Sequence, residues 1–421
     1  MKAIPPLYNH IAPLLLGFKF AAVAPKLLKK KKFLGKLKTM AKDQRLQMMA
    51  EAAEREEVVF HGDILETIFC HVPLVHLLQA SHVSKSWNRA VSSSLRHFNR
   101  PKPWLILHTQ RSRPPYSISA HAYDPRSNLW LQIHHHTPIK YVSDLRSAHS
   151  TLLYMLSPMK FSFSLDPLHL TWHHVDPPLA WRVDPIVAVV DSHHVIVAGG
   201  GCDFEDDPLA VEIYNLETRS WDTCRSMPTV LRDSAASTSL SIAAGKNKMF
   251  VMEKSSGVAY SFNPNSKIWC GPYDLCSDRD VYFSVIGFCG DRLVMAGLIG
   301  EPEKLTDIKL WEISGEGLEF CREIGAMPKG MLKKMIGEAT RVSSIGMCCM
   351  GDFAFFHNPE DPGEVVMCEI VSESACRWGS VKNAVDSDEC RVGERVIFTC
   401  SAVGLGNLRR SEDQRFTILN C

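Results

Sequence analysis

Residues 195–221 read VIVAGGGCDFEDDPLAVEIYNLETRSW, and this stretch decides the fold. The apolar run at 195–198 ends in glycines at 199–200, which permit positive φ and close backbone approach at the end of a strand. Tyr214-Asn215 then precedes Trp221, with the tyrosine seven positions ahead of the tryptophan. A bulky residue ends one strand, Asx turns the chain, and the tryptophan begins the return strand. The stretch therefore predicts a buried strand followed by a β-hairpin.

The hairpin spacing recurs along the chain. A bulky residue with Asp or Asn beside it stands seven positions before a tryptophan at Tyr123/Trp130, Leu165/Trp172 and Phe262/Trp269 as well. We expect two degenerate copies, one from Trp311 to Phe320, stretched by two residues, and one from Val371 to Trp378, which lacks Asx. The anchors at 130, 172, 221, 269, 320 and 378 lie 42 to 58 residues apart, which leaves room for four short strands each.

Short apolar runs precede the hairpins at corresponding positions of the repeat, as expected for inner strands that are covered on both faces. They occupy 152–156, 195–198, 249–252, 293–296 and 353–356. The pattern predicts a mainly β fold, a propeller of about six blades over 103–421. Trp104 to His108 and Arg395 to Ser401 are the expected strands of ring closure, which removes exposed edges. The alternative is a pair of β-sandwiches with accidental periodicity.

Residues 56–98 have helical periodicity. Ile64, Leu65 and Ile68 fall on one stripe, and Ser84 can cap a later helix. Three short helices in about 40 residues cannot bury such stripes alone. The stripes therefore either dock on a helical partner or pack on the neighbouring domain, and the residues themselves leave both possibilities open.

Residues 72–89, VPLVHLLQASHVSKSWNR, resemble the second half of an F-box, and the run Val-Ser-Lys-Ser-Trp at 83–87 is the most specific part. An F-box normally opens with leucine-proline, whereas Phe60-His61 stands there in this chain. The resemblance implies a small three-helix module that binds a Skp-family adaptor and, through it, a cullin. The positions expected in that contact or in the module's own core are Ile64, Leu65, Ile68, Pro73, Leu77, Leu78, Val83 and Trp87.

A tyrosine or phenylalanine seven before tryptophan, after a strand that ends in a glycine pair, resembles the kelch repeat. Only the copy at 195–221 carries both marks. The two resemblances together imply an F-box/kelch-repeat protein, a non-catalytic substrate-recognition subunit of an SCF-type (Skp-cullin-F-box) ubiquitin ligase that recruits a protein substrate. The alternatives are a kelch scaffold unrelated to ubiquitin and a propeller metal oxidase of the galactose oxidase type.

The sequence predicts no catalytic residues, no metal site and no cofactor. It contains no G-x-S-x-G, P-loop or G-x-G-x-x-G pattern. The histidines at 134–136, 173–174 and 193–194 alternate across strands and so cannot all converge on one metal. An acidic loop could bind a basic segment of the substrate; its residues are Asp203, Phe204, Glu205, Asp206 and Asp207. The segment at 327–341, with three lysines, is a second such candidate.

Charge is distributed unevenly. Residues 1–42 hold ten lysines and no acidic residue, so the other 379 residues carry −9 against a total of +1. Such a folded part lacks the basic character of a nucleic-acid binder.

We expect residues 1–50 to form a basic, disordered segment; a targeting patch, a membrane-surface helix or a start at Met40 are alternatives. The apolar stretch at 11–25 is interrupted and too short for stable membrane insertion. Cytoplasm or nucleus is the expected location, where scattered cysteines stay reduced.

Overall fold

A computed structural model of the chain describes residues 62–97, 101–111, 117–134, 143–147, 150–201, 207–275, 278, 280–372, 375–385, 394–410 and 415–419. The described part opens with three helices, α1 (Gly62–Cys70), α2 (Leu74–Ser81) and α3 (Lys85–His97). Most of the remainder is strand, with two short α-helices between strands, α4 (Lys329–Ile336) and α5 (Leu405–Arg410), and a 3-10 helix at Thr229–Ser234. The expected disordered segment at 1–50 lies outside the described residues.

The strands are short and follow one another closely. The first eleven are β1 (Trp104–Arg111), β2 (Ile118–Asp124), β3 (Leu129–His134), β4 (Arg146–Ser147), β5 (Leu153–Ser157), β6 (Lys160–Ser164), β7 (His173–Val175), β8 (Ile186–Val190), β9 (His194–Ala198), β10 (Val211–Asn215) and β11 (Ser220–Cys224). The others are β12 (Leu240–Ala244), β13 (Met249–Glu253), β14 (Val258–Asn263), β15 (Ile268–Asp274), β16 (Val281–Cys289), β17 (Arg292–Glu301), β18 (Lys304–Ser314), β19 (Phe320–Ala326), β20 (Gly346–Met350), β21 (Phe353–His357), β22 (Glu364–Ser372), β23 (Ala375–Lys382), β24 (Glu394–Ser401) and β25 (Arg415–Leu419).

These strands form six antiparallel sheets, the blades of a propeller. Blade 1 has the order β24-β1-β2-β3-β25, and blades 2 to 6 are β4–β7, β8–β11, β12–β15, β16–β19 and β20–β23. Blade 1 closes the ring, because β24 from the end of the chain pairs with β1 from its start, with Trp104 opposite Ser401. The predicted closure is confirmed. The fifth strand of blade 1, β25, pairs with β3 and was not predicted.

The hairpin spacing is confirmed in three of the four regular copies. It is wrong in the copy at Leu165 and Trp172, since both residues lie outside β6 and β7 and the last pair of these strands joins Phe163 to His173. Tyr123 pairs directly with Trp130, and Tyr214 with Trp221. The ring centroids of each pair lie 5.3 Å apart, so the rings pack on one another across the hairpin. The spacing of seven therefore records a cross-strand aromatic contact.

The pairing expected in the two degenerate copies is wrong. Trp311 lies opposite Glu323, and Phe320 lies opposite Ser314 and is exposed. Trp378 lies opposite Cys368, three residues before Val371, the position expected from the spacing. The cause is loop length: five residues separate β18 from β19 and two separate β22 from β23, against four between β10 and β11. A different loop length shifts the register of the return strand.

The apolar runs predicted as inner strands form β5, β9, β13, β17 and β21. Each is the second strand of its blade, and the innermost strands are β24, β4, β8, β12, β16 and β20. Innermost strands line a central channel of about 1640 Å³. Second strands are the most deeply buried because the neighbouring blades cover both of their faces.

The glycine pair that ends β9 has the predicted geometry. Gly199 and Gly200 both have φ of +69°, and a Cβ on Gly199 would lie 2.5 Å from the carbonyl oxygen of Ala235. Only glycine fits this backbone and this close approach.

The propeller has two distinct faces. The innermost strands end at the face that carries α1–α3, and we call this the helical face. Trp104 at the start of β1, Leu168 between β6 and β7, and Leu408 of α5 contact the helices there. The innermost strands begin at the opposite face, which we call the far face. It consists of the loops from one blade to the next and of those between second and third strands.

Candidate partner-binding surfaces

Local signals fix the ends of the helices. Ser84 lies just before α3, and its Oγ accepts a hydrogen bond from the backbone N–H of Trp87 at 3.2 Å, as predicted. Pro73 precedes α2 with φ of −54°, and its carbonyl accepts the N–H groups of His76 and Leu77. A proline at this position starts a helix without losing a hydrogen bond. The starts of α2 and α3 therefore follow from their sequence.

One side of the three helices is buried against blade 1. The shared core contains Leu65, Phe69, Leu74, Leu77, Ala90 and Val91 of the helices and Trp104, Ile106, Ala122, Leu131, Val403 and Leu408 of the propeller. Leu65 and Leu77 are 4% and 0% exposed, and Pro73 is buried as well. These three of the expected contact residues therefore belong to the core, and packing on the neighbouring domain is realised on this side of the helices.

A polar clamp supports the same junction. The Arg126 guanidinium, from the turn between β2 and β3, donates to the carbonyls of Phe69, Cys70 and Val72 at 3.0, 3.2 and 2.9 Å. Asp124 shapes that turn by accepting a hydrogen bond from the Arg126 N–H at 3.0 Å. A cation at the carboxyl end of a helix compensates the helix dipole and satisfies carbonyls that have no helical partner. Arg126 therefore holds the end of α1 on the propeller.

Another side of the helices faces solvent. Ile64 and Val83 are 49% and 59% exposed, which is unusual for large apolar side chains in so small a module. Ile68, Leu78 and Trp87 are half-buried beside them. The eight expected contact residues thus divide into three core residues, three at the boundary and two on the surface.

The acidic loop lies mainly outside the described residues, which include only Asp207. Asp207 is exposed, and its carboxylate accepts hydrogen bonds from the Leu209 N–H at 3.0 Å and the Ser226 hydroxyl at 2.5 Å. Asp207 lies between β9 and β10 and therefore belongs to the far face. The lysine-rich segment at 327–341 contains α4, and two of its lysines are bound by acids of the propeller, Lys329 by Asp307 and Lys334 by Glu364.

The channel has a polar mouth on the far face. Arg146 Nη1 lies 2.7 Å from Asp184 Oδ1, and Lys254 Nζ donates to the carbonyls of Ser237 and Thr238 at 2.8 and 3.0 Å. Burial lowers the pKa of Lys254 to about 8. Arg146 and Asp184 pair with each other, and Lys254 binds backbone carbonyls. These contacts connect the loops of blades 2, 3 and 4.

Histidines serve individual turns and strands. His174 Nδ1 lies 2.9 Å from the Ser162 hydroxyl, while its neighbour His173 stacks on Phe163. His194 contacts Asp191 at 2.9 Å. Within the described residues no group of three His, Cys, Asp or Glu side chains is placed to hold a metal ion. None of the described helices is both long and apolar enough to cross a membrane.

Comparison with known proteins agrees with this architecture. A family model described as the F-box domain matches residues 62–99, the three helices that pack on blade 1. An F-box/kelch-repeat protein of Arabidopsis thaliana is 45% identical over 366 residues, which cover 84% of this chain and 92% of that protein. The chain belongs to the F-box/kelch-repeat family. Its helices α1–α3 form the F-box, a domain that indicates binding to a Skp-type adaptor, and its blades form the kelch propeller.

Solved structures are only distantly similar. A chain of the nidogen/laminin complex is 9% identical and has a TM-score of 0.42, covering 71% of this chain and 98% of that one. A candidate 6-phosphogluconolactonase from Bacteroides uniformis is 11% identical with a TM-score of 0.38, covering 67% and 83%. Similarity this low supports no inference about the F-box/kelch chain.

Sequence reasoning missed the residues of the junction. Arg126 follows Asp124-Pro125 in a turn whose sequence indicates only a hairpin. His169 was also missed: its Nδ1 lies 2.6 Å from Asp166 Oδ2, and its Nε2 lies 3.0 Å from the carbonyl of Asn407 in α5. The only signal in the sequence is a polar residue in a turn, which does not reveal what the turn contacts.

Proposed function

We propose that the chain is the substrate-recognition subunit of an SCF-type ubiquitin ligase. The F-box binds a Skp-family adaptor and through it a cullin, and the kelch propeller holds a protein substrate for ubiquitination by other subunits. One observation carries the proposal: the F-box is fixed to one face of a closed propeller, which leaves the far face for another protein. Such a subunit works in the cytoplasm or the nucleus.

The chain acts by proximity and supplies no chemical group to ubiquitin transfer. Holding two reactants on one frame replaces a bimolecular encounter with a local one and raises the effective concentration. The frame must be stiff for this purpose, and both the shared core and the Arg126 clamp stiffen it. A substrate on the far face would then keep one orientation relative to the adaptor.

The adaptor surface is proposed to contain the exposed and half-buried positions of the F-box. Ile64 and Val83 supply apolar area, and Trp87 adds an aromatic edge between them and the core. Lys85 and Arg89, one helical turn apart on α3, add exposed positive charge that suits an acidic partner. Large apolar side chains that remain exposed beside a polar rim mark a protein interface.

Titration calorimetry of the full chain with a purified Skp-family adaptor tests this surface. We expect binding by the parent chain and at least tenfold weaker binding by Ile64→Asp and Val83→Asp, because each change places a charge in a desolvated contact. Met159→Asp is the matched control, since Met159 is 85% exposed between β5 and β6, on the far face, opposite the F-box. Failure of the folded parent chain to bind would reject the proposal.

A kelch scaffold unrelated to ubiquitin is the second candidate. The observation in its favour is that the helices do pack on the propeller, with Leu65 and Leu77 in the shared core. That scaffold needs no adaptor, so the calorimetric experiment separates the two candidates.

The substrate is proposed to bind loops of the far face, including the acidic stretch from Asp203 to Asp207. Loops on a rigid scaffold are the usual place for recognition. Replacing Asp207 alone tests little, because its carboxylate also holds the local turn. A combined change of Asp203, Glu205 and Asp206 to Asn or Gln should weaken capture of a basic substrate and leave adaptor binding unchanged.

A further inference from the structure

Two cysteines share one face of the outer half of blade 6. In the pairing of β22 with β23, Cys368 lies opposite Trp378, and Ile370 lies opposite Cys376. Positions two apart on a strand point to the same face of the sheet, and all four side chains pack in the apolar core between blades 5 and 6. The two cysteines are therefore diagonal neighbours on adjacent antiparallel strands.

The two side chains point towards each other. Both cysteines are free, and the Cys368 thiol donates a hydrogen bond to the Cys376 sulfur. Diagonal neighbours in an antiparallel sheet have Cα atoms about 7–8 Å apart and Cβ atoms somewhat closer, so two side chains that face each other can meet. The Cys376 Sγ also lies 3.4 Å from the Ile324 carbonyl oxygen of β19, where blade 5 meets blade 6. The fold thus holds two thiols within reach of one another.

The two thiols differ in accessibility and in acidity. Cys376 is half-buried, whereas Cys368 is 0% exposed. The hydrogen bond from Cys368 lowers the pKa of Cys376, burial opposes that effect, and the Arg292 guanidinium adds to it. The pKa of Cys368 is raised, because Cys368 donates this hydrogen bond and is buried. An accessible sulfur with thiolate character is the kind that peroxides oxidise, and a thiol beside it can resolve the product.

We propose that Cys376 and Cys368 form a redox pair that hydrogen peroxide oxidises reversibly to a disulfide. The Cys376 thiolate attacks one oxygen of the peroxide, the O–O bond breaks, and the hydroxide that leaves takes up a proton to become water. Cys376 is then a sulfenic acid. The Cys368 sulfur attacks the Cys376 sulfur, the S–S bond forms, and the hydroxyl leaves with the Cys368 proton as a second water. The peroxide gains the two electrons that the thiols lose.

The place of the pair in the sheet makes its disulfide easy to reduce. A relaxed disulfide has Cα atoms about 4.4–6.8 Å apart, which is less than the usual diagonal separation of about 7–8 Å. Among the described strands β23 pairs only with β22, and the register shifts between Ile370 and Ser372. This outer strand can therefore move inward to close the bond, and the strain that remains favours reduction.

A second pair of thiols provides the matched control. Cys289 of β16 and Cys349 of β20 also share a hydrogen bond, but they are 0% and 3% exposed. That hydrogen bond and burial hold the pKa of Cys349 well above its usual value. The two pairs thus share proximity and differ in accessibility, so we expect Cys289 and Cys349 to stay reduced under conditions that oxidise the pair in blade 6.

Mass spectrometry of the full chain after treatment with hydrogen peroxide tests the proposal. Remaining thiols are blocked with N-ethylmaleimide, and the unfolded chain is cleaved after glutamate without reduction, which separates peptide 365–369 from peptide 374–389. We expect these peptides to be joined through Cys368 and Cys376, at least tenfold more abundantly than Cys289 is joined to Cys349, and to separate in dithiothreitol. No cross-link, equal yields of the two cross-links, or a product that dithiothreitol leaves intact would overturn the proposal.

Two variants assign the roles of the two sulfurs. In Cys368→Ala the sulfenic acid has no resolving thiol, so dimedone should label Cys376 after peroxide treatment. In Cys376→Ser we expect no label on Cys368. Urea unfolding checks that each variant is folded, and Cys368→Ser replaces Cys368→Ala if the smaller side chain prevents folding. Label on Cys368 in Cys376→Ser, or none on Cys376 in a folded Cys368 variant, would overturn the assignment, and neither result depends on adaptor binding.

Discussion

The clamp between the propeller and the F-box gives the sharpest quantitative prediction. Arg126→Ala removes three charge-assisted hydrogen bonds to the carbonyls of Phe69, Cys70 and Val72 at the end of α1. The change leaves the shared core in place, because the core contacts of α1 come from Leu65 and Phe69. We therefore expect α1 to loosen locally while the propeller remains folded.

The size of the effect follows from the hydrogen bonds that the substitution removes. A part-buried carbonyl left without a donor costs about 1–3 kcal/mol. The Phe69 carbonyl retains a second donor, the Val72 N–H at 3.3 Å, so the destabilisation there is smaller. Removing the cation from the helix end adds about 0.3–1 kcal/mol. Relaxation and water entry offset part of this sum, and we expect α1 to open about 3 kcal/mol more easily, roughly a 150-fold change in the opening equilibrium.

Amide hydrogen exchange read by mass spectrometry measures that opening. Peptides from α1 should exchange roughly 150-fold faster in Arg126→Ala, while peptides from blade 4 exchange as in the parent. Arg89→Ala is the control, because Arg89 is an exposed arginine on α3 and the guanidinium bound to the end of α1 is that of Arg126. Unchanged protection of α1 in a folded Arg126→Ala protein would refute the clamp and leave the apolar core as the sole link.

Three other predictions concern single contacts. Asp166 raises the pKa of His169 through their hydrogen bond. This contact therefore stabilises the folded protein fully below about pH 6.5, and the stabilisation is lost as the pH rises through the higher pKa of the folded state. We expect His169→Ala to reduce the difference in the free energy of unfolding between pH 6 and pH 8.5, measured by urea unfolding. Gly346→Ala would place a Cβ 2.1 Å from His357 Cε1 and should cost about 1–3 kcal/mol, a loss that His357→Ala restores in part when the two changes are combined. Arg182→Ala leaves Glu212 buried without its cation and should cost about 3–5 kcal/mol by denaturant unfolding, much of which Glu212→Gln recovers.

The propeller was predictable where a local contact repeats. Tyr123 and Trp130, like Tyr214 and Trp221, pair across a four-residue loop, so a fixed spacing in sequence reports a fixed contact in space. The same rule failed at Trp311, where a longer loop and a β-bulge change the register. β25 was not predicted because it joins the outer edge of blade 1 by a long-range pairing, for which the sequence has no periodic signal.

The F-box surface was predictable only in part. Helical periodicity identifies which residues share a stripe, such as Leu65 and Ile68, yet it does not say which neighbour covers them. Leu77 contributes to the core beneath blade 1, and Val83 is exposed, although both belong to the same motif. Which F-box residues the propeller covers depends on where the turn with Arg126 contacts α1, and that contact joins residues more than fifty positions apart in sequence.

Assembly with a Skp-family adaptor and the amino-terminal region of a cullin tests the central claim most directly. The full chain, mixed with both purified proteins and separated by size-exclusion chromatography with light scattering, should elute as a complex with one copy of each. Omitting the adaptor, or introducing Val83→Asp into the chain, should remove the chain from the cullin fraction. A folded chain that elutes alone in the presence of both proteins, or that binds the cullin equally well without the adaptor, would contradict the account.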